Sequence, residues 1–557
     1  MKAAEVVVVP YNTLLSKPAR DAVGLSLKSS LVIIDEAHNI PETLRSLSSS
    51  QLTLPIINGA TTQLRAYVQR YASRLTGRNI TYLSQIQKIL SAFSKYLKSN
   101  KTARNINAKH NKNLPTSEMV TSTELLFKMK LDNINLFNIM KYLERSRLSQ
   151  KLHGFTNAIS DSNEKNEPNY DDPNFISKHI SCMSLVETFL KSLCGTEREG
   201  RVIVEFPKVD ISMENNSEMR RSSSSKPCFR YSLLDPSVHF KSVIDEAHAI
   251  ILAGGTLRPF PHIATELFGS DEEMVVQAMQ SETEMKLDSS IQSHTSISRT
   301  LTTFTCGHVV SSSNVFVTCL SVGPNNVEMD FRHSSRSREA VIDELGRAAL
   351  AIGSEVPSGF VIFFPSYSYE AQVVQRWKKS GLYHKLNQKK KLYREPKSAG
   401  DVKKTLDMYS KHAISNGAIL LCVINGKMSE GINFANDMAR CVLVVGLPYP
   451  DITDPELKEK MELLDRQSRE KKNSITGQAY YQNLCMRSVN QSIGRAIRHI
   501  NDYSTIVLAD ARYATHPKIW NQLPQWLTSG EEKPVLMPFE NNIVGLRTFF
   551  QDIDNRA

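Results

Sequence analysis

Short runs of aliphatic and aromatic residues recur along this chain, and they constrain its fold more than any other feature. Residues 6–9 and Leu31–Ile34 are two such runs near the start, each bounded by turn residues. Later runs occupy residues 249–253, 360–364, 418–423, 441–445 and 504–509, with helical patterns between them. Continuous apolar runs of this length are typical of strands buried on both faces of a parallel sheet. The sequence therefore predicts an α/β protein with two parts that contain sheets.

The size and composition of the chain exclude several classes of protein. With 557 residues it has room for about three or four compact units, so it is not a single small binding module. Its apolar runs are too short to cross a membrane, and residues 6–9 are too short for a secretory signal. Eight cysteines without a Cys-x-x-Cys pair fit neither a disulfide scaffold nor a zinc domain. We expect a protein of a reducing compartment that has no membrane partner.

Positive charge is concentrated in two segments. The chain has 68 Lys and Arg against 57 Asp and Glu, a net charge of +11. Residues 62–152, which have helical spacing, hold 17 basic and 4 acidic side chains, and residues 376–411 hold 12 basic and 3 acidic ones, including Lys389, Lys390 and Lys391. Either these charges lie on solvated surfaces, or they contact a nucleic acid backbone. Residues 161–174 and 210–227 have the composition of flexible loops.

Two adjacent carboxylates follow one of the predicted strands. Leu31–Ile34 leads into Asp35-Glu36-Ala37-His38, at the sheet edge where ligands bind in parallel α/β proteins. In nucleoside triphosphatases such a pair serves Mg²⁺ and the attacking water, so the sequence predicts this chemistry here. The same four letters recur at residues 245–248, but there the strand follows them. The second copy would lie at the opposite end of a strand, and we interpret it as a coincidence.

Two further segments have the residue types of a phosphate site. Residues 425–434 follow the run 418–423 and contain glycines, which allow backbone to approach a ligand closely. In residues 491–498, Arg495 and Arg498 are three apart, and we expect them on one helical face. Gly494 beside them allows close approach. Two guanidiniums so placed can clamp a triphosphate and stabilise the charge of its transferred group.

Taken in order, these segments resemble motifs of a known enzyme family. Residues 35–38, 254–256, 426–434 and 491–498 look like motifs II, III, V and VI of the XPD-like superfamily 2 DEAH-box DNA helicases, the iron–sulfur branch. Residues 10–12, 305–308 and 359–367 fit that family as well. The residues around these motifs are most similar to those of the helicases of sister-chromatid cohesion. The resemblance covers nearly the whole chain and is weakest between motifs II and III.

The resemblance implies a domain organisation. The fold would be α/β, with two RecA-like motor domains, the first incomplete, and a helical Arch-type insertion. Residues 1–60 would form part of the first motor domain with the DEAH box, 61–200 the Arch-like insertion, 201–262 the return to the first motor domain, and 263–557 the second motor domain.

The resemblance also implies roles for individual residues. Asp35 would bind Mg²⁺, Glu36 would activate water, and His38 would couple the site to the second motor domain. Hydrolysis would be linked to DNA movement by Gly254, Gly255 and Thr256. The ATP cleft would be lined by Gly426, Glu430, Gly431 and Asn433, with Gln491 positioning the nucleotide. Arg495 and Arg498 would act as arginine fingers.

Two features of the family pattern are absent from the 557 residues. Gly-Lys occurs only at Gly426-Lys427, where Met428 follows instead of Ser or Thr, so no Walker A loop is present. In this family that loop, together with four cysteines that ligate a 4Fe–4S cluster, precedes motif II. Here 34 residues precede Asp35, and none is Cys. We therefore expect an amino-terminally truncated family member, with the 4Fe–4S cluster only in the full-length form.

The function implied is that of an ATP-dependent 5′-to-3′ DNA helicase of the nucleus. Its partners would be single-stranded and forked DNA, cohesin and replication-fork proteins, and its role sister-chromatid cohesion and DNA repair. A catalytically inactive DNA-binding or scaffold form is an alternative, because the Walker A loop is absent. An RNA helicase of the DEAH class is another, but the long helical segment after motif II disfavours it.

Overall fold

The computed structural model describes most of the chain as three packed parts. The described residues are 4–108, 117–160, 181–195, 200–206, 227–269, 274, 277–278, 300–305, 307–428, 434, 436–470, 475–528 and 537–556. Among them, no helix is both long and apolar enough to cross a membrane. The predicted loop 161–174 and all but the last residue of the predicted loop 210–227 lie outside this part of the chain.

The helices and strands are numbered here in chain order. The strands are β1 (Leu31–Ile34), β2 (Ser50–Thr53), β3 (Ser117–Thr121), β4 (Gly200–Glu205), β5 (Cys228–Leu233), β6 (Ala249–Leu252), β7 (Val315–Leu320), β8 (Gly359–Phe364), β9 (Lys391–Arg394), β10 (Ala418–Val423), β11 (Cys441–Val445) and β12 (Ser504–Ala509). The first helices are α1 (Tyr11–Leu15), α2 (Lys17–Val23), α3 (Ile40–Ser48), α4 (Leu54–Tyr71), α5 (Gly77–Ala108), α6 (Ser122–Lys128), α7 (Leu136–Ser146), α8 (Leu148–Ser160), α9 (Cys182–Leu193), α10 (Ser237–Glu246) and α11 (Phe260–Phe268). The remaining helices are α12 (Glu339–Glu355), α13 (Tyr367–Lys379), α14 (Leu382–Lys389), α15 (Val402–Ser415), α16 (Pro455–Glu470), α17 (Gly477–Ile493), α18 (Ala511–Thr515), α19 (Pro517–Trp520), α20 (Gln525–Thr528) and α21 (Phe539–Arg556).

The first α/β domain is built on the parallel pair β1 and β6, with Leu31 opposite Ala249. Its core joins residues close to β1, such as Ile34 and Leu44, to Phe240 of α10 and Leu267 of α11. Both strands therefore end at the same edge of the sheet. This arrangement brings the segments after Ile34 and after Leu252 together.

Two expectations for this domain are wrong. Residues 6–9 form no strand, and Val6 and Val8 are 82% and 92% exposed. β1 and β6 form as predicted but are not buried on both faces, since Leu31 and Ile33 of β1 are 56% and 65% exposed and Ile251 of β6 is 47% exposed. The physical reason is that β1 and β6 are the whole sheet among the described residues. The core packs against one side of that pair, and residues 6–9 have no neighbouring strand to bond.

The second part, which we call the insertion, lies in sequence between α3 and α10. It contains α4 to α9 and an antiparallel sheet in the order β2-β5-β4-β3. One core holds both, as Leu52 of β2, Phe93 of α5, Phe189 of α9 and Phe229 of β5 pack together. The insertion is thus largely helical, as expected, but not wholly so.

The packing gives boundaries that differ from those implied by the resemblance. β2 pairs with β5, Ser50 opposite Tyr231, so the insertion extends on both sides of residues 61–200. Residues 200–205 and 228–233 belong to its sheet. The chain returns to the first α/β domain only at α10, and α11 still packs in that domain's core beyond residue 262.

The second α/β domain is a sheet of six parallel strands in the order β7-β12-β11-β8-β10-β9. Alternate residues of β8 enter different cores: Val361 and Phe363 pack on one face, Phe360 and Ile362 on the other. The predicted strands at 360–364, 418–423, 441–445 and 504–509 are confirmed, and so is the α/β fold class. β7 and β9 were not predicted.

The insertion contacts the second α/β domain through charged side chains. Glu456 of α16 accepts hydrogen bonds from Arg230 and Ser232 of β5, both at 2.7 Å. One turn further, Glu459 accepts from Arg201 of β4 at 2.9 Å. These contacts attach the sheet of the insertion to α16.

Candidate nucleotide site between the two α/β domains

The carboxylates predicted as catalytic lie at the end of β1. Glu36 has a left-handed backbone with φ of +48°, which turns the chain sharply after the strand. The Tyr11 hydroxyl donates to the carbonyl of Asp35 and, at 3.2 Å, to that of Glu36. The Ala37 amide donates to the carbonyl of Ala253 at 2.9 Å. Asp35 and Glu36 are therefore held at the carboxyl edge of the sheet, as predicted.

His38 joins this segment to the one that follows β6. Its Nδ1 lies 3.1 Å from the hydroxyl of Thr256 and 3.3 Å from a carboxylate oxygen of Glu36. Burial, with the charges of Arg487 and Arg495, lowers the pKa of His38 to about 4. The ring is therefore neutral at pH 7 and can bond Thr256 without adding charge.

Gly254 and Gly255 precede Thr256 in the same turn. A Cβ on Gly254 would lie 3.5 Å from the amide nitrogen of Ala37, whereas one on Gly255 would meet open space. Gly254 thus packs directly on the backbone of the DEAH segment. The sequence motifs predicted as II and III are in contact.

The second α/β domain supplies the two arginines that act on His38. Arg487 is on α17, and Arg495 is half-buried in the turn that follows this helix. The structure therefore brings Arg495 toward the DEAH segment, and it adds Arg487, which was not predicted. Gln491, also predicted, is half-buried on α17 four residues after Arg487.

The expectation that Arg495 and Arg498 share a helical face is wrong. α17 ends at Ile493, and the amide of Ala496 bonds back to the carbonyl of Ile493 in a turn. Arg498 is exposed beyond this turn, where its amide donates to Asp502 at 3.1 Å. Gly494 is the residue at which the helix ends, and glycine has the lowest helix propensity after proline.

The loop after β10 is organised by a glutamate that was not predicted. Glu395 accepts hydrogen bonds from the amides of Val423 at 2.8 Å and Met428 at 3.0 Å, and from Tyr367 at 2.6 Å. A Cβ on Gly426 would lie 2.5 Å from a Glu395 oxygen. Gly426 is thus required for the approach of this carboxylate. The predicted cleft residues Glu430, Gly431 and Asn433 lie outside the described residues.

The second Asp-Glu-Ala-His segment lies at the amino end of β6, away from the site. Glu246 ends α10 and contacts Lys17 at 3.4 Å and Arg20 at 3.5 Å. Arg20 is buried and also donates to the carbonyl of Leu14 at 2.5 Å. The Glu246 carboxylate of this segment thus neutralises the charge of the buried Arg20 guanidinium in the first domain.

A buried carboxylate joins the two α/β domains next to the site. Glu266 of α11 is 2% exposed and lies 3.2 Å from Arg45 of α3. From α17, the Tyr480 hydroxyl donates a hydrogen bond to Glu266 at 3.4 Å. Arg487 of the same helix lies 3.9 Å from Glu266. Burial alone would raise the pKa of Glu266, but His262, one turn earlier on α11 at 3.9 Å, together with Arg45 and Arg487 outweighs it and lowers the pKa to about 2.

The sequence contained a signal for this network. Tyr480, Arg487 and Gln491 are spaced by seven and four residues, which places them on one face of a helix. That face of α17 is the one turned toward the first α/β domain. The acidic partner, Glu266, carried no such signal.

Mg²⁺ is one of the groups that the resemblance implies for this site. Asp35 is exposed at the strand end and accepts the Glu36 amide through one oxygen at 2.9 Å. Mg²⁺ commonly uses one or two carboxylates together with substrate phosphates, so Asp35 fits Mg²⁺.

An iron–sulfur cluster does not fit the described cysteines. The described part of the chain has no group of three or more His, Cys, Asp or Glu that could hold a metal. Burial raises the pKa of Cys182 to about 11 and those of Cys319 and Cys441 to about 12, which keeps these thiols protonated, whereas cluster ligands are thiolates.

Comparison with known proteins identifies the family. Residues 350–530 match the helicase C-terminal domain family, and residues 1–56 match DEAD_2. The ATP-dependent DNA helicase DDX11 of Danio rerio is 35% identical over 95% of this chain and 59% of its own length. The ATP-dependent DNA helicase chl1 of Aspergillus clavatus is 32% identical over 99% of this chain and 70% of its own.

Solved structures give a weaker likeness. S. tokodaii Xpd4 has a TM-score of 0.49 at 14% identity, over 92% of this chain and 80% of its own. An XPD helicase has a TM-score of 0.47 at 18% identity, over 94% of this chain and 72% of its own. This chain spans less than two thirds of the DDX11 relative. By its sequence relationship, the chain belongs to the family of ATP-dependent DNA helicases named DDX11 and CHL1.

Proposed function

We propose that this chain is the motor part of an ATP-dependent DNA helicase, which hydrolyses ATP between its two α/β domains and uses the hydrolysis to move along single-stranded DNA. The observation that carries the proposal is the environment of His38. It contacts Thr256 and Glu36 of the first domain while two arginines of the second domain lower its pKa. A site composed of both domains is what coupling of hydrolysis to domain movement requires.

The residues at the edge of β1 have the chemistry for phosphoryl transfer. Mg²⁺ neutralises phosphate charge in such reactions, and Asp35 would hold it. Glu36 would orient and deprotonate the attacking water. Arg495 would stabilise the negative charge that develops on the transferred group, as arginine fingers do. Gln491 would hold the nucleotide in place from α17.

His38 would pass the state of this site to Thr256. The ring lies within reach of both Thr256 and Glu36, so a displacement of Glu36 would be felt at the threonine hydroxyl. Arg487 also contacts Glu266, which holds Arg45 of the first domain. Movement of α17 would therefore be felt at both His38 and Glu266.

The finer parts of the proposal rest on the family resemblance. They are the 5′-to-3′ polarity, forked DNA as a substrate, cohesin and replication-fork proteins as partners, and a nuclear role in sister-chromatid cohesion and DNA repair. Relatives of this chain are named ATP-dependent DNA helicases, which supports the broader statement.

The test is ATP hydrolysis with and without single-stranded DNA, in a form of the protein that also carries a Walker A loop. Glu36→Gln should lower turnover by about 100-fold or more, since it removes a base worth about 10²–10⁴ in rate, and should leave DNA binding intact. Glu246→Gln is the matched control, because Glu246 occupies the same position in the second Asp-Glu-Ala-His segment. If the control were the variant that lost turnover, the assignment of the site would be wrong.

A non-catalytic DNA-binding or scaffold form is the second candidate. It is favoured by the sequence, in which no Gly-Lys precedes Ser or Thr. DNA binding by the 557-residue chain without any ATP turnover would support this form. Unwinding of RNA duplexes but not DNA duplexes would instead support the RNA helicase alternative.

A further inference from the structure

Two neighbouring helices of the insertion enclose a polar groove of about 600 Å³. α4 turns one face, with Ile57 and Leu64, into the core of the insertion. Another face of α4 lines the groove with residues at helical spacing: Asn58, Thr61, Thr62 and Arg65. Small hydroxyl and amide side chains form most of this wall, and one guanidinium stands at its end.

α5 provides the opposite wall with the same spacing. Its lining residues are Ser91, Ser94, Lys95 and Lys98. Ser94 donates to the side-chain oxygen of Asn58 at 3.1 Å, which ties the two walls together. Arg65, Lys95 and Lys98 are exposed. The groove therefore offers small hydrogen-bonding groups and three cations, and its lining contains no aromatic or aliphatic side chain.

The sequence around the groove contains no opposing charge. Between Glu42 and Glu118 the sequence has no acidic residue, and both groove helices lie within this interval. Glu118 itself is held by Lys128 at 2.6 Å. A surface with several exposed cations attracts polyanions.

The other basic segment, residues 376–411, is different. Arg376 is bound by Asp343 at 2.6 Å, and Arg394 by Glu370 at 2.7 Å. Lys390 is buried and donates to the carbonyls of Pro357 and Ser358. Three of the basic side chains counted there are thus engaged inside the domain, whereas both groove helices lie in a stretch of sequence without acidic residues.

We propose that the groove between α4 and α5 binds the phosphate backbone of a single DNA strand. Hydroxyls, amides and cations are the groups that proteins use for phosphate oxygens, whereas base stacking needs aromatic side chains that this lining lacks. The inference rests on the proposed function and adds a DNA site outside the ATP cleft.

The test compares two triple variants of equal charge. The groove variant is Arg65→Gln, Lys95→Gln and Lys98→Gln. The control is Lys141→Gln, Arg145→Gln and Lys151→Gln, on α7 and α8 of the same insertion. Binding of fluorescent oligothymidylate is measured by anisotropy over a range of salt concentrations. The log–log salt slope should become shallower by about 2 in the groove variant, at about 0.7 per lost contact, and by less than about 0.7 in the control.

The outcomes separate this inference from the proposed function. If the wild-type chain binds DNA with a steep salt slope but both triples change it equally, or neither does, the groove is not the site and the helicase proposal stands. If the wild-type chain binds no DNA, both fail.

A second measurement needs no variant. Bound oligothymidylate should protect Lys95 and Lys98 from acetylation several-fold more than Lys141 and Lys151. Equal protection of all four lysines by the bound oligothymidylate would overturn the proposal.

Discussion

Glu266→Gln should destabilise the contact between the two α/β domains. The substitution keeps the size of the side chain but removes the charge that faces Arg45 and Arg487 at 3.2 and 3.9 Å. Both cations would then face a neutral amide at a site that is 2% exposed. The lost interaction is mainly with Arg45, which is the nearer cation.

The magnitude follows from the burial of the ion pair. Removal of one partner of a buried ion pair costs about 3–5 kcal/mol, so Glu266→Gln should lower the free energy of unfolding by about that amount. The titration agrees in direction, because the surroundings lower the pKa of Glu266 from 4.5 to about 2. A carboxylate whose pKa is lowered by folding stabilises the folded state while it is charged. The contribution is present above about pH 4.5 and is lost as the pH falls toward 2.

The assay is urea unfolding of the 557-residue chain, followed by tryptophan fluorescence and by circular dichroism. The matched control is Glu355→Gln, since Glu355 pairs at 2.8 Å with an Arg547 side chain that is 54% exposed. Exposed pairs contribute about 0–1 kcal/mol. A loss for Glu266→Gln no larger than that of the control would refute the reasoning about a buried network.

Three further predictions concern acid, the basic segment and ATP. The free energy of unfolding should fall as the pH is lowered from about 6.5 to 4. Folding lowers the pKa values of His38 and His262 to about 4, so in this range the unfolded chain binds protons that the folded chain does not. His262→Gln should weaken this pH dependence when unfolding is measured at several pH values. Lys390→Ala should lower stability by about 1–3 kcal/mol, since it leaves two carbonyls without their donor, yet should leave the salt slope of DNA binding unchanged, with Lys389→Ala as the exposed control. The 557-residue chain should bind ATP weakly and hydrolyse it at background rate, because no Walker A loop positions the phosphates; micromolar affinity by calorimetry with robust turnover would contradict this.

The parts of the fold that the sequence predicted are those in which local pattern and burial agree. β8, β10, β11 and β12 are apolar on both faces because the six-stranded sheet is covered on both sides. β2 is short and partly polar, and it pairs with β5 far along the chain. No local pattern could have revealed that pairing.

The site divides in the same way. The position of Asp35 and Glu36 follows from a strand and the residues directly after it, so the sequence was sufficient to predict that position, while their roles stay predictions. The placement of Arg498 failed because Gly494 was interpreted as a point of close approach, whereas the helix ends there. Glu266 could not be found because its partners come from α3 and α17, which only the folded chain brings together.

The most direct test of the account is single-turnover unwinding of forked and tailed duplexes by a form of the protein that carries a Walker A loop. We predict ATP-dependent unwinding of DNA duplexes with a 5′ single-stranded tail, and none when Glu36→Gln is introduced. Unwinding that proceeds equally well in Glu36→Gln, or that occurs on RNA duplexes and not on DNA, would contradict the account.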